Sequence, residues 1–470
     1  MELETIIGLE VHAQVNSKTK MFCSCDNDAW GKEPNTTVCP VCMGHPGTLP
    51  VPNKAVVEKA TRASKALKCT INATCHFDRK NYFYPDLPSG YQISQYSDPL
   101  ASKGVVQFGD GKKCGITRLH LENDAGKLMH RSNGSLCDYN RAGTPLMEIV
   151  TEPELRSAQD AVEFAQELRR IIIAADSTEA DMFKGMMRFD ASISMRPKGD
   201  TKLYPRIEIK NLNSFKSLER ALTYQQNQLI KQWEAGTPPT GETTVGWLDD
   251  EEKTVLLRDK ESAADYRYFP EPDIPPLALD PKWIEEIAGA MQKLPSEMKQ
   301  EYMTMGISEA EAMVLIDQPK LRLLFDAINA KTKDSKRASS LVLTQLTGFL
   351  KQQDKTIDQA PSVESMVELA QAISSGTIST NAGKEVLEAM IESGKSANAI
   401  IDEKGLKQVS DTGAILELVK KAIAANPQAI EGFKGGKAAA LGPVVGWIMK
   451  ESKGKANPKM VNEMLAKEIG

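Results

Sequence analysis

The amino-acid sequence changes character at the proline-rich segment YFPEPDIPPL, residues 268–277. Its four prolines stiffen the backbone and exclude a helix there. Before this segment, short runs of β-branched and aromatic residues alternate with Gly, Pro and Asn. After it, runs such as SLVLTQLTGFLKQQ and SVESMVELAQAIS place apolar residues at helical spacing. The change predicts an α+β domain around a mainly antiparallel sheet, followed by an all-helical region.

Two stretches of the first part predict particular elements. Residues 187–213, MRFDASISMRPKGDTKLYPRIEIKNLN, predict two strands joined by a Pro-Lys-Gly-Asp turn. Ser157, with Asp160 three residues later, predicts the start of a helix, and a second helix is predicted from about Leu212 to Trp233. We place the domain boundaries at 1–292, 293–400 and 401–470, the last near IIDEKGL.

Composition and charge restrict the class of protein. A chain of 470 residues, 41% hydrophobic and 26% charged, is long enough for two or three globular domains. The net charge of −5 neither indicates nor excludes a nucleic-acid partner. The N-terminus MELETIIGLEVHAQV has acids where a signal peptide needs basic residues, and no apolar run approaches the roughly 18 residues of a membrane span. We therefore expect a cytoplasmic protein without a membrane partner.

Several predicted strands carry an acid and a second polar residue at period two. In GLEVHAQV, Glu10 and His12 lie on one face of a strand. The pattern recurs in His120, Glu122 and Asp124, in Asp190 and Ser192, and in Glu208 and Lys210, with Glu148 as a further acid. If these faces converge, the repelling carboxylates need cations, and oxygen ligands with an imidazole suit Mg²⁺ or Mn²⁺. The alternative is that they are the solvated outer faces of antiparallel strands.

The cysteines show a more specific spacing. Residues 22–44, FCSCDNDAWGKEPNTTVCPVCMG, place a C-x-C pair thirteen residues before a C-x-x-C pair: Cys23, Cys25, Cys39 and Cys42. Two such pairs can close a tetrahedral thiolate site, which predicts structural zinc in a reducing compartment. A redox pair or free thiols are the alternatives.

Two further segments have open interpretations. Residues 79–99 mix five aromatics with basic and amide side chains, a composition compatible with stacking on a base or holding an aminoacyl group, although aromatics flanked by prolines more often pin a loop to the surface. Residues 432–459 contain six lysines and one acid, which indicates either a surface for a phosphate backbone or a solvated helical face. The segment SGKSAN around Lys395 lacks the upstream glycine of a P-loop. An ATP site, if present, is therefore of an unusual kind.

The longest motifs resemble one known family. DYNRAGTPLMEIVTEPEL (138–155), GLEVHAQ, FYPDLPSGYQISQ, HLENDAGK, EIKNLNSF, DYRYFPEPDIPPL and GKANP are similar to the B subunits of bacterial aspartyl/glutamyl-tRNA(Asn/Gln) amidotransferases, the GatB/GatE family. The resemblance runs from about residue 3 to the C-terminus. It implies a catalytic cradle domain, a helical linker domain and a YqeY-like tail that contacts tRNA.

The resemblance also implies a reaction and its partners. Such a protein uses ATP and Mg²⁺ to activate the side-chain carboxylate of Glu-tRNA(Gln), Asp-tRNA(Asn) or both as an acyl phosphate. Ammonia from an amidase (A) subunit then forms the amide, and a small C subunit holds the complex together. Carried over by position, Glu10, His12, Glu122 and Glu148 are expected Mg²⁺ ligands, with Asp124, Asp190, Ser192 and Glu208 beside them. Lys210 is expected to face the phosphates, and Arg141 the substrate carboxylate or a phosphate oxygen.

Two competing hypotheses assign the same residues differently. In a tRNA-binding scaffold the acids are structural and no acyl phosphate forms. In an independent zinc protein that binds nucleic acid, activity needs no partner subunits. The sequence contains no amidase Ser-Ser-Lys signature, so we do not expect this chain to hydrolyse glutamine alone.

Overall fold

The computed structural model describes residues 2–259, 266–408, 412–434, 441–452, 456 and 458–469. The chain divides into two compact units, Met1–Pro295 and Ser296–Gly470. The first combines β-sheets with helices, and the described part of the second is helical, which confirms the predicted α+β class. The boundaries at 292/293 and 400/401 remain predictions, and one helix, Ala397–Glu403, runs across residue 400.

The described strands all belong to the first unit. In chain order they are β1 Leu3–Gln14, β2 Thr70–Ile71, β3 Thr74–Cys75, β4 Asp78–Asn81, β5 Tyr91–Ser94, β6 Ala101–Phe108, β7 Lys112–Asn123, β8 Lys127–Arg131, β9 Gly134–Asp138, β10 Pro145–Thr151, β11 Met187–Pro197, β12 Ile207–Leu212, β13 Thr243–Leu248, β14 Lys253–Asp259, β15 Phe269–Pro270 and β16 Leu277–Ala278.

The helices follow the same order. The first unit contains α1 Lys54–Ala66, α2 Ala158–Ala174, α3 Phe215–Glu234 and α4 Pro281–Gly289. Further helices are α5 Pro295–Thr304, α6 Glu309–Asp317, α7 Pro319–Thr332, α8 Ser335–Ser339, α9 Thr347–Gln352, α10 Val363–Ser374, α11 Thr380–Ser393, α12 Ala397–Glu403, α13 Thr412–Ala425, α14 Pro427–Lys434, α15 Gly442–Glu451 and α16 Pro458–Ile469. A π-helical segment, Ser340–Leu346, joins α8 to α9, and Ile357–Gln359 forms a 3₁₀ turn.

A nine-stranded sheet organises the first unit, in the order β14-β13-β12-β11-β1-β10-β7-β6-β2. Its pairs are antiparallel except β12 and β13, which are parallel. The N-terminal strand β1 therefore lies in the middle of the sheet, paired with β10 on one side and β11 on the other.

The alternation in β1 separates the two faces of the sheet. Leu9, Val11 and Ala13 are buried with the apolar core, whereas Glu10 and His12 point to the opposite face. Because paired residues in an antiparallel sheet share a face, the register carries this division across the neighbouring strands. One face of the sheet is thus the hydrophobic core, and the other is polar.

Helices cover the apolar face. Ser157 is the N-cap of α2 and accepts a hydrogen bond from the Asp160 amide, as predicted. Six apolar residues at helical spacing in α2 are buried: Val162, Phe164, Ala165, Leu168, Ile171 and Ile172. The second predicted helix begins later than expected. Leu212 closes β12 opposite Phe189, and the Ser214 cap starts α3 at Phe215, because Leu212 is held by the strand pairing.

The proline-rich segment belongs to the first unit and does not lead directly out of it. Phe269 pairs with Arg79 of β4, Leu277 pairs with Cys75 of β3, and α4 follows within the same unit. These pairings lie in sheets of two or three strands, where a proline removes few hydrogen bonds.

In the second unit, one apolar core is formed by α13, α15 and α16. Its buried residues include Val419, Ile448 and Leu465. Of the six lysines in residues 432–459, only the side chain of Lys450 falls within the described residues, so the choice between a phosphate-binding surface and a solvated helical face stays open. No helix in the described ranges has both the length and the apolar character needed to cross a membrane.

Candidate active site

The polar face of the sheet brings two imidazoles and two buried acids together. His12 lies opposite Glu148 of β10, and Glu148 lies opposite His120 of β7. The Glu148 Oε2 atom is 3.5 Å from His12 Nε2 and 3.3 Å from His120 Nε2. Glu122 Oε1 is 3.8 Å from His12 Nε2, and Glu122 Oε2 is 3.7 Å from His120 Nε2. Both carboxylates are almost fully buried, so this cluster is not a solvated outer face.

A second set of acids continues the cluster across β11 and β12. Glu10 lies opposite Asp190, and its Oε1 atom is 3.6 Å from His12 Nε2. Lys210 Nζ is 2.8 Å from Asp190 Oδ2 and 3.0 Å from Glu208 Oε1. Acids and cations are thus distributed over five adjacent strands of the sheet, β12, β11, β1, β10 and β7.

Charge neutralisation within the cluster is uneven. Burial raises the pKa of Glu148, but His120 and His12 outweigh that effect and hold its pKa well below the usual value. Burial likewise opposes the charged form of His120, yet Glu148 and Glu122 raise its pKa to about 9. Glu10 has less compensation, so burial and the Glu148 charge raise its pKa. Additional positive charge would therefore stabilise this group of acids.

The donor atoms fit a divalent cation. Two groups of three, Glu10 with His12 and Asp190, and His12 with Glu122 and Glu148, each place one ligand atom per residue within 4.8 Å of the others. His12 is common to both groups. The Nδ1 atoms of His12 and His120 are buried without a hydrogen-bond partner among the described residues. Carboxylates with an imidazole suit Mg²⁺ or Mn²⁺, so the residues fit the predicted ion.

A cavity of about 350 Å³ opens beside the cluster. Strands β4, β5 and β15 form a small separate sheet, and this sheet and the segments next to it supply the side of the cavity that faces the acids. The lining residues are Glu10, Lys80, Ser94, Gln95, Tyr96, Arg118, His120, Glu148, Glu208, Lys210, Glu242, Tyr266 and Tyr268. The cavity therefore combines acids, cations and aromatic rings, a set of groups suited to a charged ligand with an aromatic part.

The cysteine cluster forms a separate site. The Sγ atoms of Cys23, Cys25, Cys39 and Cys42 lie within 4.8 Å of one another. A hydrogen bond from Cys23 and the nearby charge of Lys20 lower the pKa of the Cys42 thiol to about 5, although burial opposes this. Burial raises the pKa of Cys25 to about 11. Four thiols at these separations fit a tetrahedral ion such as Zn²⁺.

Two residues outside the cysteines shape this second site. Lys20 is fully buried, and its Nζ donates to the Thr37 carbonyl at 2.7 Å and contacts Cys42 Sγ at 3.8 Å. Gly143 has a φ of +88°, and a Cβ there would lie 3.2 Å from the Cys42 Cβ. The turn from the NRAGTP motif thus packs directly against the cysteines.

Comparison with known proteins agrees with this arrangement. The GatB/GatE catalytic-domain model matches residues 5–285, and the GatB domain model, with a YqeY-type region, matches residues 323–469. The B subunit of the aspartyl/glutamyl-tRNA(Asn/Gln) amidotransferase of Clostridium botulinum, strain Loch Maree, is 44% identical over 476 residues, covering 100% of this chain and 99% of the relative. The protein of the same name from Clostridium tetani is 43% identical over 475 residues, with the same coverage.

This chain belongs to the GatB family. The predicted family is therefore confirmed, and its catalytic-domain match contains every residue of both clusters. The second match lies entirely within the helical unit.

The structure places most predicted residues of this GatB-family site together but separates two of them. Ser192 is in register with Glu208 on the polar face. Asp124 is instead a buried acid, with Oδ atoms 3.3 Å from Arg188 Nη2 and 3.5 Å from Arg141 Nε. Arg141 also donates to the carbonyls of residues 125 and 126 at 3.0 and 2.7 Å. Neither Asp124 nor Arg141 lines the cavity beside the acids.

Three residues at the site, His120, Arg118 and Lys80, were not assigned an individual role from the sequence. His120 shares the face of Glu122, so the period-two pattern held the signal for it. Arg118 lies two residues earlier on the same strand, and its Nη2 is 3.7 Å from Glu148 Oε1. Lys80 lies on β4, within the aromatic-rich residues 79–99. The charges of Glu122 and Glu148 outweigh the effect of burial and raise the pKa of Lys80 above the usual value. Its spacing carried no signal, because only the tertiary fold brings β4 to the cavity.

Proposed function

We propose that this chain is the ATP-using component of an amidotransferase that converts Glu-tRNA(Gln), Asp-tRNA(Asn) or both into the amidated form. The observation that carries the proposal is the convergence of Glu10, His12, Glu122, Glu148 and Asp190 into two overlapping groups of ligand atoms. Two of these residues, Glu10 and Glu148, also line the adjacent cavity. A carboxylate is a poor electrophile, and phosphorylation converts one of its oxygens into a leaving group. The enzyme must then hold two anions side by side, which requires concentrated positive charge.

The chain's own residues divide this task. Glu10, His12, Glu122 and Glu148, with Asp190, would hold Mg²⁺, and this ion would neutralise phosphate oxygens and the clustered carboxylates. Lys80, Arg118 and Lys210 line the same cavity and bring positive charge to it. Arg118 has a single long contact to Glu148 and an unpartnered buried Nε among the described residues, so its guanidinium retains donors for an anion.

The proposed reaction has two balanced steps. A side-chain carboxylate oxygen of the aminoacyl-tRNA attacks the γ-phosphorus of ATP, the bond to the β-phosphate oxygen breaks, and ADP leaves. The nitrogen of ammonia then attacks the acyl carbon, the bond between that carbon and the phosphoryl oxygen breaks, and inorganic phosphate leaves carrying the proton that the nitrogen loses. The residues of the cavity orient the two anions and offset their repulsion in both steps.

The remaining assignments complete this proposal. An amidase subunit supplies ammonia from glutamine, and a small C subunit holds the complex together. The four cysteines bind a structural Zn²⁺, since a closed tetrahedral site leaves no open position for chemistry. Residues 1–292 form the catalytic cradle, residues 293–400 a linker, and residues 401–470 a YqeY-like tail that contacts tRNA. The enzyme acts in the cytoplasm with the rest of translation.

Glu10→Gln and Glu122→Gln test the proposal in the complex reconstituted with the amidase and small subunits. We expect both variants to lose ATP-dependent amidation of Glu-tRNA while the amidase subunit still hydrolyses glutamine. Without glutamine, the wild type is expected to form ADP and an acyl phosphate that hydroxylamine traps. Glu4→Gln is the matched control, because Glu4 lies on β1 outside the cavity and pairs with Arg196.

Unchanged amidation in both variants would contradict the proposal. If the variants instead lose folding or assembly, measured by thermal unfolding and size-exclusion chromatography, the acids are structural and the scaffold hypothesis is favoured. Amidation by the isolated chain without partner subunits would contradict the assignment of ammonia supply to the amidase.

A further inference from the structure

Two tyrosines form a stacked pair at the edge of the cavity. The rings of Tyr96 and Tyr268 lie 4.3 Å apart at 13°, and both line the cavity that contains Glu10 and Glu148. Tyr266 packs edge-on against Tyr268, with 6.0 Å between ring centroids at an angle of 73°. Tyr96 is 55% exposed, so it is the open end of the stack. Tyr268 covers one face of the Tyr96 ring, and the exposed remainder of that ring is available to a planar ligand in the cavity.

Two successive residues of β4 hold the chain segments that carry Tyr96 and Tyr268. The buried Asp78 carboxylate accepts hydrogen bonds from the Tyr96 and Ser97 amides at 2.8 and 3.1 Å, which fixes the chain after β5. The next residue, Arg79, makes a two-point ion pair with Glu271 at 2.7 and 2.8 Å. Glu271 follows Tyr268 by three residues, and its side chain is completely buried.

The ion pair is reinforced by neighbouring contacts. The Arg79 guanidinium lies 4.3 Å from the ring centroid of Tyr91, and Arg79 also pairs with Phe269 in the small sheet. A buried carboxylate without its partner is costly, so Glu271 and Arg79 are held to one arrangement. The following residue of β4, Lys80, lies 4.9 Å from the Tyr266 ring. One short strand therefore fixes both tyrosines and places a cation beside them.

We propose that Tyr96 and Tyr268 form a stacking platform for an adenine base and that the Arg79–Glu271 ion pair positions this platform. The identity of the base rests on the proposed function, which brings two adenines to this cavity: that of ATP and that of the 3′-terminal adenosine of tRNA. Stacking suits either source, because it recognises the flat face of the base and needs no specific hydrogen-bond pattern. The adjacent cations and acids then accommodate the charged part of the same ligand.

Steady-state kinetics of the reconstituted complex test the platform and identify the source of the base. Tyr96→Leu is expected to raise one KM by about ten-fold, as loss of one base–aromatic stack does, with a smaller change in kcat. A rise confined to the KM for ATP assigns the platform to the nucleotide, and a rise confined to the KM for Glu-tRNA assigns it to the tRNA end. Tyr96→Phe keeps the aromatic ring that stacks on the base and is expected to have the wild-type KM.

The same loop offers a matched control. Tyr82 and Tyr84 are also stacked, at 5.8 Å and 22°, and comparably exposed, but they do not line the cavity. Tyr84→Leu is therefore expected to leave both KM values unchanged. Arg79→Lys, which keeps the charge but loses the two-point pairing, is expected to raise the same KM as Tyr96→Leu. Asp273→Asn removes the charge of the more exposed carboxylate partner of Arg79 and is expected to leave this KM unchanged.

Two results would overturn the platform. One is an unchanged KM for both substrates in Tyr96→Leu, and the other is an equal effect of Tyr84→Leu. Both comparisons require a wild-type complex that shows ATP-dependent amidation. A wild-type complex without that activity would contradict the proposed function, and with it the platform that rests on that function. If Arg79→Lys does not fold, Tyr96→Leu still decides the platform, because Tyr96 is on the surface.

Discussion

The acid cluster and the cysteine cluster of the first unit differ in how the chain assembles them. The four cysteines lie within twenty residues, between Cys23 and Cys42. The acids and imidazoles come from strands β1, β7, β10 and β11, which are separated by long stretches of chain and brought together by sheet register. A local cluster depends on its own loop, whereas a cluster made by register depends on the entire sheet.

This difference predicts opposite consequences of mutation. The sheet holds Glu148 and His12 in place whether or not a cation is bound, because their strands are anchored by the apolar core on the other face. The loops around the cysteines have little regular structure, so bound metal would supply much of their stability. We therefore expect the acid cluster to govern activity and the cysteine cluster to govern stability.

The largest expected effect is that of His12→Asn. Because His12 is common to both groups of candidate Mg²⁺ ligands, its loss should lower kcat/KM for amidation by more than about 100-fold. That value is the upper end of the range for residues that only hydrogen-bond to a metal ligand, and a direct ligand should have a larger effect. The thermal unfolding midpoint should change little. A large fall in this midpoint would show that the acid cluster is structural and would remove the contrast between the two sites.

The next effect is expected from Cys39→Ser. The protein should lose stoichiometric zinc, measured by release to a colorimetric chelator, and its unfolding midpoint should fall by roughly 5 °C or more. The amidation rate per folded molecule should be retained at low temperature. A selective loss of rate with an unchanged midpoint would assign the cysteines to chemistry.

Lys20→Met tests whether a buried charge supports the cysteine site. Loss of the ammonium beside Cys42 should weaken zinc binding about ten-fold in chelator competition, since partners of metal ligands contribute on this scale. Lys18→Met, at an exposed position two residues earlier, is the control and should bind zinc as the wild type does. Equal zinc affinities in the two variants would contradict a role for Lys20.

The smallest effect is expected from Cys114→Ala. Cys114 is fully buried and lies outside the cysteine cluster, so zinc stoichiometry should be unchanged. Removing its sulfur should lower the free energy of unfolding by about 1 kcal/mol, measured by denaturant titration. A loss of bound zinc would show that the four-cysteine site is incomplete as described.

The sequence carries local features well and tertiary convergence poorly. The Ser157 cap, the strand pair around Gly199 and the cysteine spacing involve residues close in sequence, and each is present in the structure. The acids converge because β1 pairs with β10 and β11. Period-two alternation indicates which residues of a strand share a face, but it does not indicate which strands are neighbours in the sheet. The prediction that these acids form one site therefore rested on the resemblance of the motifs to a known family.

Arg141 and Lys80 show the limit most clearly. Both are cations in recognisable motifs, but backbone carbonyls engage Arg141, while Lys80 reaches the cavity from a separate small sheet. Charge and motif alone do not distinguish a cation that braces a turn from one that faces a ligand. That distinction depends on strand packing between segments far apart in the chain.

The central position of β1 has a consequence for synthesis. This strand, Leu3–Gln14, is synthesised well before its partners, Pro145–Thr151 and Met187–Pro197. At a synthesis rate of about 5–20 residues per second, roughly 10 to 40 s pass between the completion of β1 and the completion of β11, its second neighbour. A strand with one apolar face and both edges unpaired is prone to aggregate during that interval. Productive synthesis of this chain therefore depends on shielding residues 3–14 until β11, which ends at Pro197, has been made.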